Sequence, residues 1–452
     1  MRIIIAGNGK IGSMLARQLA SEGYDITIID SDKNALAGET ERLDVMTCEG
    51  NCAAAATLRD AGVMNADLLI AATGSDEVNL LCCMTARALN PKIHAISRIR
   101  NSEYTEQAYS MKDIFAIPMV FNPERQAAVE IERLIRYPGF LKRDTFTKGR
   151  VEIVELKIDS SSKLCGRALS EIHSIVKADV LICAVLRGGE AITPDGNFVL
   201  ESGDRIFVTA SADNLSSMLR SLGIVTHRAK NVIIAGGGRL SRYLAAMLIR
   251  RRIGVKIIEK NHETCMKLSE KLPEADIIEG DASVQELLES EGLSSCDALV
   301  TLTGIDEINM VISLYGSSAG VPQIITKLGK LDDAKIISDL SLGSIISPRR
   351  LSCNTVVQYV RAMKNQTGAA LSLHLIADGK AEAVEFAVEK NTKYCGVPLK
   401  ELKTKKNVLI ACITKKGEPI IPNGDSCFEV GDNVVVVTVG DTVLTQLGDI
   451  FD

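Results

Sequence analysis

The chain has 452 residues, a formal charge of −5, a pI near 5.8 and no basic clusters, which argues against nucleic acid as the main ligand. Trp is absent and aromatic residues make up only 4%, so base-stacking platforms are not expected either. No apolar run reaches the ~18 to 20 residues that a spanning helix needs, and the N-terminus enters a strand without a signal-peptide pattern, so a soluble cytosolic protein is expected.

Residues 1 to 12, MRIIIAGNGKIG, read as a short apolar strand, a glycine turn and a helix start. That arrangement points backbone N–H groups and a helix N-terminus at a phosphate. Gly7 permits the tight turn, Gly9 lets a pyrophosphate approach the backbone, and Gly12 lets the helix pack closely on the strand. Asn8, Lys10 and Ile11 belong to the same phosphate-facing turn. The next strand, ITIID, ends in Asp30, 18 residues after Gly12, where an acid would accept hydrogen bonds from adenosine ribose hydroxyls. A carboxylate there repels a 2′-phosphate, which favours NAD(H) or an adenine nucleotide over NADP(H); the plainer reading is a solvated turn carboxylate.

Apolar runs at 2–6, 26–29, 67–72 and 93–97 alternate with helical stretches at 11–22 and 76–89, the pattern of parallel βαβ units. Asn51, after Gly50, follows the third strand, where a polar side chain would reach adenine or ribose. Thr73 and Gly74 end the fourth strand and Arg98 the fifth, at the rim where open α/β sheets collect ligands. Helix capping alone would explain the SDEVN that follows Gly74. Asn122-Pro123 opens a helix that runs to Pro138, with Ala127, Ile131, Leu134 and Ile135 on one apolar stripe. Such a helix either packs home or is exchanged between subunits or lobes, and exchange is the favoured expectation. Residues 151–223 then read as a compact α+β module: VEIVELKI, a short helix at GRALSEI, VLICAVL and DRIFVTAS.

The second half repeats the first. NVIIAGGGRLS (231–241) carries Gly236, Gly237, Gly238, Arg239, Leu240 and Ser241, offset by 236 − 7 = 229, with Ser at the third glycine position and small enough for nearly the same packing. AATGSDEVN (71–79) returns as TLTGIDEIN (301–309), LCGRALSEI (164–172) as YCGVPLKEL (394–402), and ESGD (201–204) as EVGD (429–432). A tandem duplication follows. Strands are expected near 232–235, 255–259, 297–302 and 323–327, a helix from Pro348 with Val356, Val360 and Met363 as its stripe, and a second small module over 382–450. Glu259, Asp281, Thr303, Gly304 and Lys327 fall at the places of Asp30, Asn51, Thr73, Gly74 and Arg98.

The expected fold class is therefore α/β: two tandem units, each a Rossmann-type parallel-sheet N-lobe followed by a small α+β C-lobe. Its divisions are 1–122, a connecting helix at 123–142, 143–228, 229–347, a second connecting helix at 348–366, and 367–452. The twelve Cys include no CxxC pair, so free buried thiols are expected, with a zinc site near Cys48, Cys52, Cys82 and Cys83 as the weaker reading. Five His are present, at 94, 173, 227, 262 and 374, and none recurs in the other repeat. Duplication has kept binding residues but no common acid-base pair, which suits a sensor better than a catalyst. A cytosolic NAD-dependent oxidoreductase remains the alternative, and a scaffold with vestigial sites a third reading.

AGNGKIG with Asp30, AATGSDEVN and Arg98, then a small lobe with PDG and ESGD, all repeated once, resembles the TrkA regulatory proteins of bacterial Trk potassium uptake systems. The resemblance covers nearly the whole chain and implies two RCK units (regulators of potassium conductance). It further implies NAD or NADH as ligand, with ATP or ADP at one or both sites, and a homo-oligomeric ring, expected to be tetrameric. The ring would lie peripherally on the cytosolic face of the membrane, against a potassium-translocating subunit of the TrkH or TrkG type. Asn51 stands where this family often has an acid and Ser241 where it often has Gly, so the two sites are expected to differ in nucleotide preference.

Overall fold

In the computed structural model, which describes all residues except 38–42, 102, 105–106, 108–116, 137–138, 147–149, 225–228, 330–339, 365–369, 416, 441–443, 445 and 452, β1 (Arg2–Ala6) runs through the centre of a parallel sheet. Ile3, Ile4 and Ile5 are buried whichever face they point to, as expected for a strand covered by helices on both sides. The helix Gly12–Ser21, β2 (Asp25–Asp30), β3 (Met46–Glu49), β4 (Leu68–Ala71), the helix Asp76–Leu89, β5 (His94–Arg98) and β6 (Met119–Phe121) complete the first N-lobe. Strand order is β3-β2-β1-β4-β5-β6, all parallel. The order reverses between β1 and β4, which makes the crevice at their carboxyl ends the natural ligand position. β6 was not expected from the sequence, because three residues are too few to show a period.

The second N-lobe repeats this layout with β12 (Asn231–Ala235), β13 (Gly254–Glu259), β14 (Asp276–Glu279), β15 (Ala298–Thr301), β16 (Gln323–Lys327) and β17 (Ser344–Ile346), in the order β14-β13-β12-β15-β16-β17. Its glycine turn feeds the helix Arg239–Arg250, and Asp306–Ser318 follows β15.

Each C-lobe is a five-stranded antiparallel sheet. The first orders β10-β9-β11-β8-β7 and the second β18-β19-β22-β20-β21. Their strands are β7 (Lys142–Phe146), β8 (Val151–Lys157), β9 (Leu181–Arg187), β10 (Glu190–Ile192) and β11 (Arg205–Ala210), then β18 (Ala370–Ile376), β19 (Ala381–Ala387), β20 (Val408–Lys415), β21 (Glu418–Ile420) and β22 (Asn433–Val439). Small side chains let the two sheets share one core: Cys183, Ala184 and Phe207 pack with Ala381, Ala383, Ala411 and Cys412. The helix expected at GRALSEI starts late, as a 3-10 turn Leu169–Glu171 and a single helical turn Ile172–Ile175. Ala168 is held extended by a bridge to Val199, which delays it. The counterpart keeps only the 3-10 turn Leu399–Glu401.

The chain divides into two compact units, 1–129 with 347–360 and 130–346 with 361–452. Both division points fall inside connecting helices, Pro123–Arg136 and Pro348–Lys364. In the first unit, the start of the second helix packs on the first N-lobe: Ser352 Oγ donates to Gln126 Oε1 at 2.6 Å, and the Cys353 thiol points at the Ile11 carbonyl, 3.9 Å away. In the second unit, the end of the first helix packs on the second N-lobe, with Gln323 Nε2 on the Leu134 carbonyl at 2.8 Å and Arg251 paired with Glu132. The first connecting helix thus starts on its own N-lobe and ends on that of the other repeat, while the second starts on the N-lobe of the other repeat. Val356 and Val360 form the buried stripe on the second helix, as Ala127, Ile131, Leu134 and Ile135 do on the first. Pro138 lies outside the described residues.

β7 carries a half-buried charge cluster. Asp144 accepts from Lys142 Nζ at 3.1 Å and lies 3.1 Å from His374 Nδ1. Burial opposes the charge on Asp144, but Lys142 and His374 outweigh it and hold the carboxyl down at about 2. Glu130, in the connecting helix, moves the other way: burial, with Asp144 adding to it, pushes its carboxyl up to about 7. A carboxyl raised on folding contributes stability that is complete below its unfolded value near 4.5 and is lost as pH rises through about 7. The span corresponds to at most ~3 kcal/mol. Denaturant unfolding of wild type is expected to lose up to that much between pH 4.5 and 7.5, and Glu130→Gln to flatten the slope; the same slope in both proteins would exclude Glu130 as its source. Asp144 acts in a separate window, contributing stability above its ordinary value of 3.8 that disappears as pH falls through about 2.

Candidate functional site

Both glycine turns lie at the switch point of their sheets. Gly7 has φ +99°, and a Cβ there would lie 2.9 Å from Thr73 Cα, so the β1 turn and the end of β4 approach too closely for a side chain. A Cβ on Gly12 would meet the Gly7 carbonyl oxygen at 1.8 Å. Gly9 faces open space, with nothing within 4 Å of where its Cβ would be. That is the middle position, where a bound phosphate would approach the backbone. Gly236 and Gly238 repeat the pattern, the first with φ +101° and a Cβ 3.0 Å from Thr303 Cα, the second open.

Neither glycine-turn helix has a side-chain cap: Ile11 precedes the first and Gly238 the second. Their leading N–H groups therefore lack the partner that Ser75 supplies to the helix Asp76–Leu89. Uncapped N–H groups beside an open glycine suit an anion. Lys10 and Arg239 stand exposed at corresponding points of the two turns, while the side chains of Ile11 and Leu240 are buried and leave only their backbone to the cleft.

Ser241 does more than match the packing of Gly12. It is fully buried, and its hydroxyl donates to the Gly236 carbonyl at 2.6 Å. The second turn thus holds by a hydrogen bond what the first holds by close contact. The turns also differ at the next position. Asn8 reaches across to the Ala35 carbonyl through Nδ2 at 2.5 Å, whereas a Cβ on Gly237 would meet Leu268 at 2.7 Å.

The two acids have the same partners. Asp30 accepts from the Asn8 amide at 2.6 Å and the Asp32 amide at 2.9 Å; Glu259 accepts from the Gly237 amide at 2.7 Å and the Asn261 amide at 2.8 Å. Each carboxylate oxygen retains a second lone pair, so the acid can hold the turn and still accept from a hydroxyl. Asn51 and Asp281 are exposed and form the turns after β3 and β14: Asn51 Oδ1 accepts from the Ala53 amide at 3.0 Å, and Asp281 Oδ1 from the Ser283 amide at 2.9 Å and hydroxyl at 2.7 Å. Those Ser283 bonds hold the Asp281 carboxyl below its ordinary value.

Two residues of the TGxDExN motif have roles that sequence reasoning missed. Asn79 is fully buried; its Oδ1 accepts from the Thr73 amide at 2.8 Å and hydroxyl at 2.7 Å, and its Nδ2 donates to the Arg98 carbonyl at 3.0 Å. Asn309 does the same for Thr303, at 2.9 and 2.7 Å, and for the Lys327 carbonyl at 2.9 Å. The Thr hydroxyl protons thus turn inward and leave the oxygens as acceptors. Asp76 accepts from the amides of Arg100 and Asn101 at 2.9 and 2.8 Å and lies 3.6 Å from Arg100 Nε, while Asp306 accepts from the Gly329 amide at 2.8 Å. The signal was present, because both residues recur at equal spacing in the repeat.

Gly74 and Gly304 are exposed at the rim, and the Gly74 carbonyl accepts from Arg100. Lys327 turns its ammonium onto the carbonyls of Thr303 and Leu302, at 2.5 and 3.3 Å, which keeps the charge beside the end of β15. The His residues are dispersed. His94 begins β5, at the opposite end of the sheet from the turns, and His374 belongs to the Asp144 cluster. His262 is exposed and pairs with Glu279 at 2.8 Å beyond Glu259; His227 lies outside the described residues. All twelve thiols are free, and the described residues include no group of His, Cys, Asp and Glu able to hold a metal ion.

The TrkA-N domain model matches residues 3–123 and 232–348, and the TrkA-C domain model residues 153–223 and 383–445. The chain is 33% identical to a Trk system potassium uptake protein TrkA homolog of Archaeoglobus fulgidus, over 98% of each chain. It is 30% identical to the Trk system potassium uptake protein TrkA of Haemophilus influenzae, over 96% of this chain and 95% of that one. Among solved structures, the GsuK channel bound to NAD aligns with a TM-score of 0.61 at 17% identity, over 97% of this chain and 76% of that chain, a likeness of fold. Two TrkA-N and two TrkA-C domains in tandem, with relatives matched end to end, make the chain a member of the TrkA family of tandem RCK proteins.

Proposed function

We propose that the chain is a nucleotide-sensing regulatory subunit of a potassium uptake system, with one binding cleft in each repeat for NAD(H), ATP or ADP. The observation that carries this reading is the doubled constellation at the switch points. In both repeats an acid at the end of the second strand bonds the glycine-turn amide, beside an open glycine and an uncapped helix N-terminus. Potassium enters through the relatives, which are named as Trk system potassium uptake proteins. NAD has support from the fold, since a GsuK channel is described bound to it.

In this reading Gly7, Asn8, Gly9, Lys10, Ile11, Gly12, Asp30, Asn51, Thr73, Gly74 and Arg98 form the first site. Gly236, Gly237, Gly238, Arg239, Leu240, Ser241, Glu259, Asp281, Thr303, Gly304 and Lys327 form the second. No helix among the described residues is long and apolar enough to cross a membrane, so ion passage belongs to a partner, a potassium-translocating membrane subunit. The chain works on its cytosolic face as a homo-oligomer, a tetramer on the family pattern. Nucleotides shift the assembly between arrangements for which they have different affinities, with typical couplings of ~1 to 3 kcal/mol per site. No chemical turnover is part of the role.

The test is potassium flux in vesicles that hold the membrane subunit and this chain, with NADH and ATP titrated separately. Flux should change with nucleotide for wild type and lose that response in the Asp30→Ala, Glu259→Ala double variant. Flux indifferent to both nucleotides, or equally responsive in the variant, would overturn the reading.

A further inference from the structure

The two crevices share their acid and their open glycine, and they differ most over the ends of the fourth and fifth strands. The acid marks the ribose side of a ligand and the glycine its diphosphate, so whatever follows the diphosphate extends over those strand ends. For NADH that part is a nicotinamide riboside, without charge; for ATP it is a further phosphate. Arg100 stands there in the first N-lobe, and Gly329 takes its place in the second.

The Arg100 guanidinium donates to the carbonyl of Gly74, the exposed residue at the rim, and its Nε lies 3.6 Å from Asp76 Oδ1. Its backbone is fixed as well: the amide donates to Asp76 Oδ2 at 2.9 Å, and the carbonyl accepts from Asn122 Nδ2 at 3.2 Å. Gly74 follows Thr73, which meets the Gly7 turn too closely for a Cβ between them. The cation is therefore anchored along the rim from the glycine turn, with its side chain 22% exposed. Gly329 repeats only the backbone half of this arrangement. Its amide donates to Asp306 Oδ2 at 2.8 Å, but position 329 brings no cation to that carboxylate. At the ribose end, moreover, the second crevice has the acid Asp281 where the first has the neutral Asn51. Both differences make the first crevice the more positive, and both disfavour a highly charged ligand in the second.

We propose that the two crevices divide the ligands between them: the first prefers ATP, with Arg100 as the residue that reads its terminal phosphate, and the second prefers NADH. The assignment rests on the nucleotide reading of both crevices given above. A guanidinium meets a phosphate through parallel N–H groups, a geometry that lysine does not reproduce and glycine lacks altogether. Asp76 and the Gly74 carbonyl hold the guanidinium in place beforehand, so little side-chain freedom is lost when a phosphate arrives. ATP gains over ADP by the phosphate that only ATP carries past the glycine turn. One chain would then read the adenylate and nicotinamide pools through separate crevices.

The full-length protein would be titrated calorimetrically with ATP, ADP and NADH in two backgrounds, Glu259→Ala to isolate the first crevice and Asp30→Ala to isolate the second. In the first background ATP should bind roughly 10-fold tighter than NADH, and tighter than ADP; in the second the order of ATP and NADH should reverse. Arg100→Gly, which carries the residue of the second repeat, should lower ATP affinity in the Glu259→Ala background by roughly 10-fold and change NADH affinity by less than about threefold. Arg100→Lys should fall between, since it keeps the charge without the fork. Equal loss of ATP and NADH in Arg100→Gly would make Arg100 an anchor of its loop and overturn the proposal, as would NADH binding the first crevice as tightly as ATP. Wild type that binds none of the three nucleotides would refute the reading of the crevices themselves, whereas binding with the same preference in both would refute only their division.

Discussion

Asp30→Ala is expected to weaken NADH at the first cleft by roughly 10- to 100-fold while leaving the second cleft untouched, the loss of one hydrogen-bonded charge costing ~1.5 to 3 kcal/mol. The carboxylate has two roles at once. It holds the Asn8 amide at 2.6 Å and the Asp32 amide at 2.9 Å, and in the proposed site its remaining lone pairs would accept from a ribose. Removing it both loosens the turn and deletes the ligand's partner. Glu259→Ala should do the same to the second cleft, where the Gly237 and Asn261 amides lose their acceptor. Thermal-shift and calorimetric titrations with NAD, NADH, ATP and ADP on both single variants would rank the sites separately, since stabilisation grows with ligand concentration relative to affinity. If the two variants lose affinity for the same nucleotide step, the clefts are not independent sites.

Gly12→Val should be more damaging, lowering the stability of the unit that holds the first N-lobe by roughly 2 to 4 kcal/mol and abolishing nucleotide binding there. A Cβ at Gly12 would sit 1.8 Å from the Gly7 carbonyl oxygen, and no rotamer change moves a Cβ, so the turn itself must shift. Gly12→Ser provides the graded control. The second repeat shows a turn that accepts Ser241 by bonding its hydroxyl to the Gly236 carbonyl, so Ser at position 12 should cost less than Val. Denaturant unfolding and a binding titration on the pair would check the order. Equal destabilisation by Ser and Val would mean that the two turns do not share that solution.

Much of this was legible in the sequence because the crevice at the switch point is written in local code. A glycine turn, an acid a fixed distance onward and a TGxDExN segment each lie within one βα step, and the duplication spells them twice. What escaped depends on partners distant in the chain. β7 reads KRDTF, with no apolar alternation, yet it is a strand because Arg143 finds Glu152 across the sheet and Asp144 finds His374 far along the sequence. Asp76 and Asn79 read as capping residues of their own helix; their hydrogen bonds instead run to the loop after β5 and to the end of β4. The apolar stripe on each connecting helix announced a partner but not which one, since a stripe carries no address.

The exchanged helices bear on how such a chain can arise and be dissected. In the first unit the segment that packs at the start of the glycine-turn helix comes from the second repeat, residues 347–360, and places Cys353 against the Ile11 carbonyl. A half-length chain with the same helix would bury that surface by lending the helix to a second copy of itself. Two copies joined in one chain make that exchange intramolecular, at an effective concentration in the ~millimolar range. The modern halves should still remember this: residues 1–228 expressed alone should associate in pairs, at a concentration the intact chain never needs.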